Sequence, residues 1–137
     1  MKPKQQRLAF FEYVAKNISI KNSLIENAGL GAFSMINISP NRLISFYMGE
    51  KLTAEQFDFT YPRGFGEYVL QIKENIYIDA NNIEKSNFTR YINDFRGSLN
   101  NNPNVMFTNE GYVKTIRRVN KGEELYIDYG NTYFKNY

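Results

Sequence analysis

The sequence predicts a mostly β domain with few short helices, an α+β chain built from short sheets. Eight short strand-like runs are separated by turns rich in Gly, Asn or Pro, which is the pattern of many short strands. The 137 residues include 42% hydrophobic residues, with 11 Tyr and 11 Phe, a composition typical of a folded chain rather than a disordered one. This length fits one domain with one hydrophobic core.

The first third of the chain predicts a helix followed by a hairpin. Residues 5–16 (QQRLAFFEYVAK) place Leu8, Phe11 and Ala15 at the spacing of one helical face. Two strand-like runs follow, at 18–26 (ISIKNSLIE) and 32–36 (AFSMI). The NAGLG between them supplies residues that tolerate positive φ, so a hairpin is predicted there.

The rest of the chain predicts further strands around one short helix. A strand at 42–49 (RLISFYMG) precedes Thr53, which suits the N-cap of a helix over 54–59. Strands are predicted in EYVLQI, NIYIDA, VMFT, YVKTIRRV and LYIDYG. Residues 86–104 are polar and Asn-rich with no clear period, and long irregular segments in small domains are usually functional or disordered.

The composition excludes several kinds of chemistry. The chain has no Cys and no His, which excludes disulfides, thiolate zinc sites, a Cys nucleophile and the Ser-His-Asp triad. An enzyme with these residues must use Tyr, Lys, carboxylates or backbone groups, with a cofactor that carries the reactive group. The net charge of +3 favours acidic partners. No apolar run approaches about 18 residues, and an intracellular protein is expected.

Five short motifs occur in order along the chain, and each has an ordinary structural interpretation. Glycines in the first motif suit a hairpin, the tyrosines suit a β core, and the asparagines suit turns. Glu123 and Glu124, beside Lys121, are typical of a solvated hairpin end. The motifs are Gly29-Leu30-Gly31, Tyr47-Met48-Gly49, Arg90-Tyr91-Ile92-Asn93-Asp94, Pro103-Asn104 and the segment from Gly122 to Gly130 (GEELYIDYG).

Taken together and in this order, the motifs resemble those of SET-domain protein lysine methyltransferases, from about Ile18 to Tyr133. The small viral-type members, which lack zinc-binding flanking modules, are the most similar. The resemblance implies a β-clip fold of short sheets with a knot-like crossing near the C-terminus. It divides the chain into a helical extension (1–17), a SET domain (18–130) and an aromatic tail (131–137) that completes the site.

The resemblance also implies a function. S-adenosylmethionine would be the cofactor, no metal would be needed, and the substrate would be a protein lysine, by default in a histone tail or nucleosome. A nuclear, chromatin-associated location (the host nucleus if the protein is viral) and a homodimer are expected on the same grounds. Ile127 stands where a Tyr in relatives favours a single methylation, so dimethylation or trimethylation is predicted.

Residue roles follow from the matched motifs. Tyr129 would orient the lysine amine near the methyl group, and Tyr47 would form a wall of the lysine channel, so these two are the predicted catalytic residues. Ile127 and Tyr126 would line the substrate channel. The residues predicted to bind the cofactor are Gly29, Leu30, Gly31, Arg90, Asn93, Asp94 and Tyr133, with Phe134 as a further candidate to cover the adenine.

One feature departs from the family pattern, and two alternatives stay open. Asp94 replaces the usual His, and a carboxylate there needs a partner such as Arg90 or Arg96. This departure allows a catalytically inactive SET-like binding module. A second alternative is an unrelated basic β-rich protein that binds nucleic acid. Its candidate stacking platform comprises Phe59, Tyr61 and Phe65 near Arg63.

Overall fold

The computed structural model describes residues 3–130, in which four small sheets surround one core. The helices and strands in chain order are α1 (Pro3–Lys16), β1 (Ile18–Asn22), β2 (Leu30–Ser34), β3 (Leu43–Phe46), β4 (Glu50–Leu52), α2 (Ala54–Thr60), β5 (Val69–Lys73), β6 (Ile76–Asp79), β7 (Asn93–Asp94), β8 (Val105–Phe107), β9 (Tyr112–Thr115) and β10 (Tyr126–Ile127). Two 3-10 turns, Ile83–Lys85 and Phe88–Tyr91, precede β7. The predicted mostly β class is confirmed. Within residues 3–130, no helix combines the length and the apolar character that crossing a membrane requires.

The predicted N-terminal helix and hairpin are both present. β1 and β2 pair antiparallel, from Ile18 opposite Ser34 to Asn22 opposite Leu30. Their connection is longer than predicted, because β1 ends at Asn22. Asn27 and Gly29 adopt φ of 64° and 75°, as the NAGLG pattern predicts.

A second layer is formed by β4, β6 and β5, in that order, with α2 against it. The predicted N-cap is confirmed. The Thr53 side chain accepts a hydrogen bond from the Gln56 backbone, and the Gln56 side chain accepts one from the Thr53 backbone. This reciprocal pair satisfies two backbone donors at the helix start. Phe57 then stacks on Tyr77 of β6, with ring centroids 4.3 Å apart.

The core lies between α1, β2 and the sheet β3–β9–β8. Its buried members come from the first third and the later half of the chain, from Val14 of α1 to Ile127 of β10, and none comes from β4, α2, β5 or β6. They are Val14, Ala32, Ile38, Ile44, Phe88, Ile92, Val105, Val113, Val119, Leu125 and Ile127. Burial of a large aliphatic side chain contributes roughly 1.5–3 kcal/mol, so this cluster joins the helical extension to the strands.

The end of the described chain is held between two earlier segments. β10 pairs in parallel with β7, with Tyr126 opposite Asn93 and Ile127 opposite Asp94. On its other side, the Asn104 side chain donates to the Glu124 carbonyl (2.9 Å) and accepts from the Tyr126 N–H (2.8 Å). Because residues 95–103 join these two sides, the closing strand passes between parts of one loop, as expected for the crossing. The predicted strand 125–130 is reduced to two paired residues.

Candidate cofactor-binding and catalytic site

A cavity of about 610 Å³ lies where the hairpin loop, the second 3-10 turn and β7 meet. Its volume is in the range of small-molecule sites, roughly 300–1,000 Å³. The lining residues are Ile25, Asn27, Ala28, Gly29, Leu30, Glu67, Tyr68, Ile83, Arg90, Tyr91, Asn93, Asp94, Arg96 and Tyr129. Six residues that the sequence predicted as site residues therefore line one space, namely Gly29, Leu30, Arg90, Asn93, Asp94 and Tyr129.

The hairpin loop presents its backbone to the cavity at Gly29. The Gly29 carbonyl accepts a hydrogen bond from the Ser23 N–H (2.8 Å), which closes the loop at its base. A Cβ on Gly29 would have no heavy atom within 4 Å. The backbone is therefore open to close approach by a ligand.

The amide nitrogen of Asn93 is used for hydrogen bonds within the protein. Its Nδ2 donates to the Leu30 carbonyl (2.9 Å) and, at 3.4 Å, to the Glu124 carboxylate. Within residues 3–130 its Oδ1 accepts no hydrogen bond. Asn93 therefore retains an acceptor for a ligand in the cavity.

Arg90 is a fixed cation at the edge of the cavity. Its side chain donates to the carbonyls of Ala80 (2.9 Å) and Asn81 (3.4 Å), and only 8% of the residue is exposed. The guanidinium lies 4.1 Å from the ring centroid of Tyr68 and 5.0 Å from that of Tyr91. Cation–π contacts of this kind hold the charge in place. In the part of the chain that the structure describes, Nη1 has no hydrogen-bond partner, so it is able to donate to an anionic ligand group.

Asp94 has the partner that its charge requires. Arg96 donates to both carboxylate oxygens at 2.9 Å, and its own backbone N–H donates to Oδ1. The sequence predicted Arg90 or Arg96 as the partner of this carboxylate. Arg96 is the partner, whereas Arg90 donates to the carbonyls of Ala80 and Asn81. Asp94 also makes a contact that was not predicted, because its Oδ2 accepts from the Tyr129 N–H (2.7 Å).

Tyr129 reaches the cavity wall from the closing strand. Its hydroxyl donates to the Ile92 carbonyl in a short hydrogen bond, and its ring packs against the hydrophobic core. The ring is therefore held both at its backbone and at its hydroxyl. This brings Tyr129 beside the Asn93 segment, as the predicted crossing requires.

The other predicted site residues within the described part of the chain do not line this cavity. Tyr47 is 8% exposed, donates its hydroxyl to the Tyr68 carbonyl (2.7 Å) and packs edge-on against Phe107. Ile127 is fully buried in the core. Tyr126 is 9% exposed and donates to the Glu124 carboxylate (2.9 Å). Burial above all, and then Glu124, raises the pKa of Tyr126 well above its usual range. Tyr133 and Phe134 lie outside the described residues.

Glu124 is not the solvated turn residue that its neighbours suggest. It is 3% exposed, and its carboxylate accepts from Ser23 Oγ (2.7 Å), the Leu24 N–H (2.8 Å) and the Tyr126 hydroxyl. Gly31 is explained by the same group, because a Cβ there would overlap Glu124 Oε2. The carboxylate thus joins the base of the hairpin loop to the closing strand.

Comparison with known proteins is consistent with this geometry. The family described as SET domain matches residues 29–130. The histone-lysine N-methyltransferase set-17 of Caenorhabditis elegans is 30% identical over 115 residues, which cover 83% of this chain and 41% of that protein. A solved structure of a humanized mutant of Chaetomium thermophilum Polycomb Repressive Complex 2, bound to the inhibitor GSK126, has a TM-score of 0.65 at 25% identity. That match covers 83% of this chain and 15% of the other. This chain therefore spans less than half the length of either relative.

Proposed function

The chain belongs to the SET-domain family, and on that premise we propose that it is an S-adenosylmethionine-dependent protein lysine N-methyltransferase. The observation that carries the proposal is the shared cavity of Gly29, Arg90, Asn93 and Tyr129. These residues are separated by up to 100 positions in sequence, and their types match what a methyl-donor site requires.

The cavity fits the cofactor's charged end. An amino-acid group carries an ammonium and a carboxylate; Asn93 Oδ1 is an acceptor for the first, and the Arg90 guanidinium is a donor for the second. Gly29 adds no side chain where the ligand would approach. Asp94 and Arg96 form an ion pair, so the carboxylate does not stand uncompensated in the cavity. When bound, the cofactor supplies an electrophilic methyl group on a sulfonium, so neither a metal nor a protein nucleophile is required.

The remaining chemistry concerns the substrate amine. A lysine amine has a reference pKa near 10.4 and must be neutral to attack. A buried channel lowers that pKa because desolvation disfavours the ammonium. We assign the channel to Tyr47, Tyr126 and Ile127. A tyrosine is neutral at physiological pH, so Tyr126 adds no negative charge of its own that would favour the ammonium.

Tyr129 would act by orientation. Its hydroxyl donates to the Ile92 carbonyl, and a phenol oxygen is also an acceptor, which is the role we propose toward the substrate amine. Such alignment converts a bimolecular reaction into an effectively intramolecular one, which accounts for several kcal/mol of many enzymatic barriers.

We further propose a histone-tail lysine as the substrate, since the relative from Caenorhabditis elegans is named as a histone-lysine methyltransferase. The apolar, fully buried Ile127 offers no hydrogen bond to a water beside the amine. Dimethylated or trimethylated product is therefore the proposed outcome, and mass spectrometry of a histone peptide under prolonged excess enzyme tests it. A product that stops at one methyl would contradict it. Family resemblance carries three further proposals, which are a viral-type protein, a chromatin-associated nuclear location and a homodimer.

One of the two alternatives remains as an outcome of the test. A cofactor-binding module without activity would bind S-adenosylmethionine but transfer no methyl group. The unrelated nucleic-acid-binding protein is set aside by family membership. Its stacking platform is also weakened, because the Tyr61 hydroxyl donates to Asp79 (2.5 Å) and its ring packs on Phe57.

The test combines calorimetric titration of S-adenosylmethionine with transfer of a labelled methyl group to mixed histones. We expect binding and transfer by the wild type, and a loss of roughly 100-fold in transfer by Tyr129→Phe with cofactor binding retained. The matched control is Tyr13→Phe on the exposed face of α1, where 52% of the residue is exposed. Equal loss in both variants, or no binding by the wild type, would refute the proposal.

A further inference from the structure

We infer that Asp94 and Arg96 are positioning residues that hold the backbone of Tyr129 in its reactive place. The inference rests on the proposed function for its catalytic meaning, and on the contacts of these three residues for its geometry. It concerns residues in which this chain departs from the family pattern, since Asp94 stands where a His is usual.

The contact between Asp94 and Tyr129 is direct and partly buried. The Asp94 side chain is 7% exposed, and its Oδ2 accepts from the Tyr129 N–H at 2.7 Å. A charged acceptor makes this a strong hydrogen bond for a backbone donor. Asp94 thereby holds the backbone of the residue whose ring forms the cavity wall.

This side-chain contact takes over where the backbone pairing ends. The last backbone hydrogen bond between the two segments runs from the Phe95 N–H to the Ile127 carbonyl (3.0 Å). Two residues after Ile127, the Tyr129 N–H donates to the Asp94 side chain and not to the backbone. Removing the carboxylate would remove this hydrogen bond and, with it, one restraint on the backbone at Tyr129.

Arg96 fixes the carboxylate in turn. Nη1 donates to both oxygens of Asp94, and Nη2 donates to Asp128 Oδ1 at 3.2 Å. Arg96 therefore bridges the residue that accepts from Tyr129 and the residue that precedes Tyr129. Charge-assisted hydrogen bonds from one guanidinium to two carboxylates limit the rotation of all three groups.

The experiment pairs two readouts on the full chain. The first is hydrogen exchange of the Tyr129 amide, followed by NMR. The second is the kcat and cofactor KM of methyl transfer with saturating histone peptide, together with the cofactor Kd. Both are measured for the wild type, Asp94→Ala, Asp94→Asn and Arg96→Met. Asp94→Asn is close in shape and keeps an acceptor oxygen for Tyr129, which guards against a variant that fails to fold.

For Asp94→Ala we expect the Tyr129 amide to exchange at least about 10-fold faster. We expect kcat to fall about 100-fold, the typical effect of a misplaced catalytic group, and this fall to exceed any rise in the cofactor Kd by at least about 10-fold. Asp94→Asn should restore much of the slow amide exchange and of kcat. Arg96→Met should give values between those of the wild type and Asp94→Ala. The matched control is Arg117→Met, whose bridge to Glu123 (3.3 Å) has an arginine of similar exposure, 39% against 35%. It should change neither readout.

Three results would overturn the inference. Unchanged exchange in Asp94→Ala would show that the carboxylate does not hold Tyr129. Faster exchange with unchanged kcat would show that the contact does not position the ring. A raised cofactor Kd with unchanged kcat would assign Asp94 to binding alone. A wild type that transfers no methyl group would refute the proposed function itself, and the exchange arm would still decide whether Asp94 holds Tyr129.

Discussion

Replacing Glu124 by glutamine is expected to lower the free energy of unfolding by about 2 kcal/mol, although the two side chains have nearly the same shape. The reason is the set of donors around the carboxylate. Oε1 accepts from the Leu24 N–H and the Tyr126 hydroxyl, and Oε2 accepts from Ser23 Oγ and, at 3.4 Å, from Asn93 Nδ2. A glutamine keeps only one of these two acceptor oxygens.

The magnitude follows from the three short bonds. A hydrogen bond to a charged group contributes about 1.5–3 kcal/mol and a neutral one about 0.5–1.5 kcal/mol, so the change from carboxylate to amide loses roughly 1 kcal/mol per bond. The neutral amide is less costly to bury than the carboxylate, which returns roughly 1 kcal/mol. The net loss of about 2 kcal/mol corresponds to a fall in Tm of about 7 °C for a domain of this size.

The assay is urea unfolding followed by circular dichroism, with a matched control one residue away. Glu123→Gln changes a partly exposed carboxylate, which is 30% exposed, accepts from the Asn120 N–H (2.8 Å) and lies 3.3 Å from Arg117. A glutamine oxygen keeps the Asn120 bond, and loss of the ion pair should cost less than about 0.5 kcal/mol. The reasoning would be refuted if the two variants had the same stability. It would also fail if Glu124→Gln lay within about 0.5 kcal/mol of the wild type.

Three further outcomes are expected. Gly31→Ala should cost about 1–3 kcal/mol by overpacking against Glu124, and much less in a Glu124→Ala background, as a double-mutant cycle of urea melts would show. Thr53→Ala should lower the free energy of unfolding by about 1 kcal/mol, because it removes the cap of α2. Urea melts measure this, and an unchanged free energy of unfolding would contradict a stabilising role for the capping box. The raised pKa of Tyr126 predicts that the unfolded state loses this proton first. Stability should therefore fall above about pH 10, and Tyr126 contributes up to about 1.4 kcal/mol per pH unit to this slope; Tyr126→Phe should remove that share, and parallel curves would refute this.

Local features of the fold were predictable from the sequence because their causes are local. The capping box needs only Thr53 and Gln56, three residues apart, and the hairpin needs residues that accept positive φ at Asn27 and Gly29. The six cavity residues are far apart in sequence and were grouped through the order of the motifs. The shared cavity in the structure agrees with that grouping.

Long-range features escaped prediction for a physical reason. Glu124 follows a Gly turn beside charged neighbours, a pattern typical of solvent-exposed residues, yet its partners Ser23 and Leu24 lie about 100 positions earlier. Asn104 follows a proline and suits a turn, but it is fully buried and bonds both faces of its amide to the closing strand. No window of neighbouring residues contains these donors and acceptors.

The placement of the closing strand between residues 93–95 and Asn104 has a kinetic consequence. Segment 124–129 is synthesised after every part of the chain that it joins, and its contacts form only once both flanks are in place. Pairings so distant in sequence are slow to form. The cavity is thus completed late in folding, and partial detachment of this one segment would abolish it while the rest of the domain persists. A ligand that touches both flanks, present at 100 times its Kd, would oppose such opening by about 2.7 kcal/mol.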